Sequence, residues 1–419
     1  MNDKKTSSII NDNIINDNII NDNIINDNII NEKITASIML GAYLDTIGFK
    51  NGKWEFNYFH AILTIEQAKI VWLDIISEYY SLGGPDLNIK NWKVSDDTML
   101  MIATGKACLN NGGYNNYISE YLNIYDNLIK EERYAGNKTI ESLSLLKKKK
   151  LDIEDLPSDQ NMGGNGAAIR TCIIGIKWYN NEDKIIEESI IASRITHNLP
   201  LGFLGGMVSA LFTSYAIQNI HPWLWVDKLL ELYYSKKIYN YLKKNKIFDS
   251  FNEIKYFFSF WLKYNEERLS QMNFRGKQIF TFPDNKLNDL VQYSPIYTDN
   301  KKKNQFQWAN VGGTGIDVLI WAYDALLLSI IPDEKNYIDL DIEFNNDNEF
   351  NNKSNIKYSF NTLVFNSCIN IGDSDSIGMI AGCWYGALNG FNGIDKNKMK
   401  NLEFFDELEK LSKNIINDL

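Results

Sequence analysis

Ser95-Asp96-Asp97-Thr98-Met99-Leu100-Met101-Ile102-Ala103, residues 95–103, sets two adjacent carboxylates and two hydroxyls directly before an apolar run. The apolar positions recur at i, i+3 and i+4 through Thr98–Leu109, which predicts a helix. Ser and Asp are favoured N-caps, and carboxylates suit the positive end of a helix dipole, so capping accounts for one such segment taken alone. The pattern returns at Gly372-Asp373-Ser374-Asp375-Ser376, followed by Ile377-Gly378-Met379-Ile380-Ala381-Gly382. Each segment carries more carboxylates than a cap uses, and both lead into helices too apolar for a surface. If the two helix starts converge, Asp96, Asp97, Asp373 and Asp375 meet. Like charges ~4 Å apart repel by about 4 kcal/mol at an effective dielectric of ~20. Such a cluster needs cations or protons, and all-oxygen donors that include hydroxyls favour hard ions such as Mg²⁺, Ca²⁺ or Mn²⁺. Two ions sharing the nest can activate a water between them. Convergence itself is not readable here, because the segments lie far apart in the chain.

Outward from these helix starts, the apolar spacing from residue 33 onward is mainly helical. Ala167–Trp178, Gly205–Ile217, Trp225–Leu242, Phe257–Leu269 and Ile377–Leu388 show the same recurrence, and strand-like alternation is brief. Gly83-Gly84-Pro85-Asp86 and Asn110-Asn111-Gly112-Gly113 read as turns. No repeat of 30–50 residues appears, which disfavours a helical solenoid. The four lysines at 147–150 read as a solvated loop or helix end, and the acidic, Asn-rich stretch 332–357 as a surface insertion. Four copies of Ile-Ile-Asn-Asp-Asn fill residues 9–28. Their period of five fits neither helix nor strand, so residues 1–32 read as a low-complexity, disordered tail before a single domain over 33–419.

The 419 residues carry 43 Lys+Arg against 53 Asp+Glu, a net charge of −10 that argues against nucleic acid as a partner. At 44% hydrophobic and 13% aromatic, the chain can bury a large core. Leu199–Ile217 is long and apolar enough to span a bilayer, but Pro200, Gly202, Gly205, Gly206, Ser209, Thr213 and Ser214 favour a buried core helix. A soluble protein without a membrane partner is expected. Cys108, Cys172, Cys368 and Cys383 have no CxxC spacing and read as reduced cysteines of a cytoplasmic protein.

Gly163-Gly164-Asn165-Gly166-Ala167-Ala168-Ile169-Arg170 is a glycine-rich loop opening into a helix. It matches neither common nucleotide fingerprint, yet its backbone N–H groups suit an anion; a tight turn with close packing is the competing reading. Gly312-Gly313-Thr314-Gly315 offers a similar surface, with the plain turn favoured. His197 reads as a satisfied structural histidine ahead of a catalytic one, and His60 and His221 have no triad spacing.

Taken together, these segments resemble the ADP-ribosylglycohydrolase family, most closely its ADP-ribosylarginine hydrolase branch, from about residue 36 to the C-terminus. The resemblance rests on Asp45-Thr46-Ile47-Gly48, Asn51-Gly52-Lys53-Trp54-Glu55-Phe56, Ser95-Asp96-Asp97-Thr98, Gly166-Ala167-Ala168-Ile169-Arg170, Ser193-Arg194-Ile195-Thr196-His197, Ala322-Tyr323-Asp324-Ala325 and Gly372-Asp373-Ser374-Asp375-Ser376, in the family's order. It implies an all-α orthogonal multi-helix bundle with a central binuclear Mg²⁺ cleft, Mn²⁺ being admitted by the same donors. The implied metal ligands are Ser95, Asp96, Asp97, Asp373, Asp375 and Ser376. Gly163, Gly164, Asn165, Gly166 and Arg170 would line the ADP-ribose cleft, with Trp308, Gly313, Thr314 and Gly315 near a second ligand loop. Asp96 or Asp97 would orient or deprotonate the attacking water, and Glu55 would be an acid that supports the ligands from behind or gates the cleft. The implied reaction cleaves the bond between ribose and an arginine guanidinium nitrogen of a modified protein by a metal-activated water, releasing ADP-ribose. A monomer is expected. Serine-linked or O-acetyl-ADP-ribose substrates, and a non-catalytic ADP-ribose binder, stand as alternatives. Leu44, where relatives usually have Gly, is expected to crowd a first turn, and Ile316 with Val318-Leu319 to alter the pocket.

Overall fold

The computed structural model describes residues 27–57, 64–131, 133–247, 251–270, 290–296, 310–331 and 357–419. Most of the expected tail, residues 1–26, and most of the expected insertion, 332–356, lie outside the described residues. Residues 27–32, expected in the tail, are helical.

The described residues form helices: α1 (27–49), α2 (Ile65–Ser81), α3 (Asp96–Leu109), α4 (Tyr114–Lys130), α5 (Asn137–Lys148), α6 (Cys172–Lys177), α7 (Glu182–Arg194), α8 (Pro200–Ile217), α9 (Trp225–Tyr234), α10 (Lys237–Lys244), α11 (Phe251–Tyr264), α12 (Asp317–Leu328), α13 (Phe360–Cys368), α14 (Ser374–Asn389) and α15 (Phe405–Asn417). The strands among them are a two-residue antiparallel pair, β1 (Ile330–Ile331) and β2 (Lys357–Tyr358). The protein is therefore all-α.

Several boundaries follow from local chemistry. Thr64 and Gln67 form a capping box that starts α2. The helix expected over Ala167–Trp178 is cut to Cys172–Lys177, because residues 166–170 turn around the Asn165 carbonyl, which accepts from the amides of Ala168 and Ile169. The run expected as one helix over Trp225–Leu242 is two, broken where Lys236 takes a left-handed φ of 58°. Phe257–Leu269 ends in a π turn over Asn265–Leu269. The lysine run closes α5 and is exposed.

The long apolar segment is α8, which Pro200 opens at its first turn. It is the helix among the described residues long and apolar enough to cross a membrane, and 94% of it is buried inside the protein. It packs against α6, α7, α11 and α14. Phe212 on α8 meets Trp225, Trp261, Tyr323 and Trp384 at centroid distances of 5.3, 5.5, 5.5 and 5.4 Å, joining α9, α11, α12 and α14 in one aromatic core.

A second seam sets the geometry of the site. Gly378, Gly382 and Gly386 of α14 face the backbone of Leu44, Leu40 and Ala36 of α1, so both antiparallel helices step by four. A Cβ at any of these glycines would overlap the opposing backbone. Hydroxyls bridge the same seam, from Ser37 Oγ to Cys383 O and from Ser374 Oγ to Gly48 O, both at 2.8 Å. The crowding expected at Leu44 does not arise. Residue 44 lies inside α1, its carbonyl faces Gly378, and its side chain is in the core. Gly382→Ala is expected to lower unfolding stability by about 1–3 kcal/mol, because the contact it adds is with backbone, which cannot swing aside. Chemical denaturation measures this; an unchanged midpoint would show that the helices are not in close contact.

Candidate active site

The seam delivers Asp45 to the start of α14. Asp45 is wholly buried on α1. Its carboxylate accepts from Ser95 Oγ at 2.6 Å, from Ser95 N at 3.2 and 3.3 Å, and from Thr98 Oγ1. Ser95 in turn caps α3, accepting from Asp97 N at 3.1 Å. Asp45 thus orients the first turn of α3, where Asp96 and Asp97 stand.

The two acidic helix starts converge. Ser376 Oγ donates to Asp97 Oδ2 at 2.7 Å, joining the first turn of α14 to that of α3. Carboxylate oxygens of Asp45, Asp97 and Asp375 lie within 4.8 Å of one another, and so do those of Glu55, Asp373 and Asp375. All of these residues, with Asp96, are buried. Burial first, and then mutual repulsion, raises the carboxyls of Asp96, Asp97, Asp373 and Glu55 well above the usual range. Burial and the charge of Asp375 push Asp45 up to about 7. Asp375 Oδ1 is buried without a hydrogen-bond partner. An orphaned carboxylate oxygen among so many others is the donor set of a divalent-cation centre, so the residues fit such a metal.

Glu55 was expected to act from outside the ligand set, and the structure puts its carboxylate beside Asp373 and Asp375. It rides on a tight turn in which Lys50, Asn51 and Phe56 have φ of 43°, 54° and 47°. Trp54, 1% exposed, anchors this turn by donating from Nε1 to Glu78 Oε2 at 2.8 Å. Phe56 N donates to Gly372 O at 2.7 Å, tying the turn to the second acidic motif.

The two glycine loops are one structure. Gly164 and Thr314 form an antiparallel bridge, and Gly315 N donates to Gly163 O at 3.0 Å. Asn165 Nδ2 donates both to Gly312 O at 2.9 Å and to Asp373 Oδ2 at 2.7 Å, linking the loops to the carboxylates. Asp317 shapes the second loop by accepting from Gly312 N at 3.2 Å, Thr314 N at 2.8 Å and Thr314 Oγ1 at 2.5 Å. Gly164, Asn165, Gly166 and Gly313 line the cleft. Gly163, Thr314 and Gly315 support it from behind, and Trp308 lies outside the described residues. Ile316 is wholly buried and off the cleft, so it does not alter the pocket wall directly.

Arg170 is a correction. It was expected to line the cleft, but it is 0% exposed. Its guanidinium donates to Tyr121 Oη at 3.1 Å, Gly166 O, Ala192 O at 3.0 Å and Thr196 Oγ1 at 2.7 Å, so it braces the loop from inside. Thr196 Oγ1 also meets His197 Nδ1 at 2.7 Å. Burial, and then Arg170, push His197 down to about 3, so the ring is neutral. It lines the cleft against Gly164 and Gly166. Asp45 and Asp317 were the residues sequence reasoning left out of the site. Their signal was a carboxylate directly beside an apolar run, Ile38–Leu44 before Asp45 and Val318–Ala322 after Asp317.

Together the acidic first turns and the loops enclose a cleft of about 500 Å³, within the range of small-molecule sites. Fold and site define an all-helical protein whose buried carboxylate cluster opens into a glycine-lined cleft. A family model described as ADP-ribosylglycohydrolase matches residues 26–419, and the chain belongs to that family, whose members hydrolyse ADP-ribosyl bonds. It is 31% identical to "ADP-ribosylhydrolase ARH1" of Dictyostelium discoideum, over 92% of this chain and 93% of the relative. It is also 31% identical to "Putative ADP-ribosyl glycohydrolase L444" of Acanthamoeba polyphaga mimivirus, over 87% of this chain and 65% of that protein. A solved structure named "ADP-ribosylglycohydrolase-related protein complex" shares the fold with a TM-score of 0.51 at 14% identity, over 93% of this chain and 98% of that one.

Carboxyls raised in the folded state add stability below their unfolded values near ~4 and lose it as pH climbs through the folded ones. For Asp45 that upper limit is about 7. Chelator-treated protein is therefore expected to melt at a higher temperature near about pH 5 than near about pH 8, and added divalent cation to recover the difference. Differential scanning calorimetry with and without cation checks this; a metal-free Tm that climbs across the window would contradict the buried cluster.

Proposed function

We propose that the protein removes mono-ADP-ribose from modified arginine side chains, with Mg²⁺ as its cation. The observation that carries the reading is the meeting of the two acidic helix starts, with Ser376 Oγ 2.7 Å from Asp97. The Asn51–Phe56 string, which resembles the arginine-linkage branch, forms the turn that brings Glu55 to those carboxylates. A cleft so rich in negative charge also suits a cationic guanidinium leaving group.

Asp96, Asp97, Asp373, Asp375 and Ser376, which line the cleft, would hold the cations with Glu55 beside them, and Ser95, bonded to Asp45, would join them from the cap of α3. When bound, paired divalent ions supply charge compensation and a water acidic enough to react near neutral pH. The protein's own groups do the rest. The backbone N–H groups of Gly164 to Gly166 offer donors to the pyrophosphate, with His197 beside them in the cleft wall. Asp96 or Asp97 orients the water and takes its proton. Oxygen attacks the anomeric carbon as the bond to the guanidinium nitrogen breaks, and the surrounding carboxylates stabilise the oxocarbenium charge. The departing nitrogen keeps its electron pair and is protonated, giving ADP-ribose and restored arginine. A reducing, cytoplasmic setting belongs to this reading, supported by the four buried free cysteines.

The expected outcome is cation-dependent release of ADP-ribose from arginine-modified protein, and little release from serine-modified peptide. Preference for serine would move the reading to the other linkage, and binding without turnover would make the protein a binder. Asp97→Asn is expected to cut kcat by roughly 10²–10⁴-fold, the usual worth of a positioned acid–base group, and Asp375→Asn to lower turnover by weakening cation binding, while far-UV circular dichroism stays unchanged in both.

A further inference from the structure

The segment that leads into α3 lies in no sheet, yet its backbone must be held if Ser95, Asp96 and Asp97 are to keep their geometry. Val94, the residue before the motif, has both of its backbone polar groups engaged by side chains from elsewhere. Its N–H donates to Glu403 Oε2 at 2.9 Å, and its carbonyl accepts from Arg133 Nη1 at 2.7 Å. Arg133 and Glu403 are themselves paired through two parallel hydrogen bonds, Nη1 to Oε2 at 2.7 Å and Nη2 to Oε1 at 2.9 Å. Glu131 Oε2 accepts from Arg133 Nη2 at 2.5 Å and from Nε at 3.1 Å. The Arg133 side chain is 2% exposed. Its carbonyl accepts from Asp96 N at 3.2 Å. One residue therefore grips the chain on both sides of Ser95, while Asp45 holds Ser95 itself.

The same short segment reaches the cleft. Tyr134, next in sequence and at φ 59°, lines it. The Tyr134 ring stands edge-on to Phe49 at 5.7 Å and covers Gly52, in the turn that carries Glu55.

We propose that the Arg133–Glu403 pair is a positioning clamp that sets the cation affinity of the Asp96–Asp97 helix start. This rests on the divalent-cation reading given above. A guanidinium suits the task because its planar fork holds a carboxylate through two bonds and still reaches a carbonyl, whereas an ammonium is a point donor without that fixed plane. Groups that orient metal ligands from behind govern affinity through small displacements of the ligands.

The test is Mn²⁺ binding to the full-length, chelator-stripped protein, followed by electron paramagnetic resonance of free Mn²⁺ below the melting temperature. Arg133→Lys is expected to weaken Mn²⁺ binding by roughly 10–100-fold, the usual cost of removing a partner that orients a ligand. Glu403→Gln, a milder change that keeps the side chain's shape, is expected to shift binding in the same direction. Arg268→Lys is the control. Arg268 pairs with the buried Asp324 through Nε and Nη2 in another part of the fold, so its loss lowers stability without touching α3. A clamp predicts weaker Mn²⁺ binding for the Arg133 and Glu403 variants and native binding for the Arg268 variant. If all three melt earlier and all bind Mn²⁺ like the parent, the pair is only a structural brace and the proposal falls. If the parent protein itself binds no Mn²⁺, the cation reading fails and takes the clamp with it.

Discussion

The close antiparallel contact of α1 with α14 is the constraint on which the site depends. Glycines at 378, 382 and 386 let the backbone of α1 approach so closely that a Cβ at any of them would overlap it. A seam packed that closely permits one register. In that register Gly48 meets Ser374 and Leu44 meets Gly378, so Asp45 arrives beside Asp375. Asp45 then binds Ser95 and Thr98, and the start of α3 is carried to the start of α14. Packing along the seam thereby concentrates charge at its end.

That concentration opposes folding unless something compensates it. Carboxylates lose hydration on burial and repel one another, and their raised proton affinities express both costs. The fold meets part of the cost with donors: Ser95 and Thr98 on Asp45, Ser376 on Asp97, Asn165 on Asp373. Asp375 Oδ1 is left without one. The site is thus held rigid while one strong acceptor stays uncommitted, which is the arrangement a ligating centre requires.

The glycine side of the cleft is supported differently. Its glycines bear on the imidazole of His197, and the guanidinium of Arg170 reaches the cleft only through Gly166 O and Thr196. Burying the cation behind the loop braces the loop directly and the histidine through Thr196.

Local sequence determined a good deal. The helical class, the burial of α8, the capping chemistry at Ser95 and the excess of carboxylates at both helix starts all follow from spacing and residue type, since helical periodicity and capping are local properties. Motif order was enough to indicate the family, which the match over residues 26–419 established. Tertiary structure alone decided that Glu55 belongs among the aspartates, that Asp45 and Asp317 organise the two ligand-facing segments, and that Arg170 faces inward. Those outcomes depend on the direction in which a side chain leaves its element and on what a distant segment presents to it. Direction and proximity across hundreds of residues are set by how the helices pack, and no local pattern of residue types encodes them.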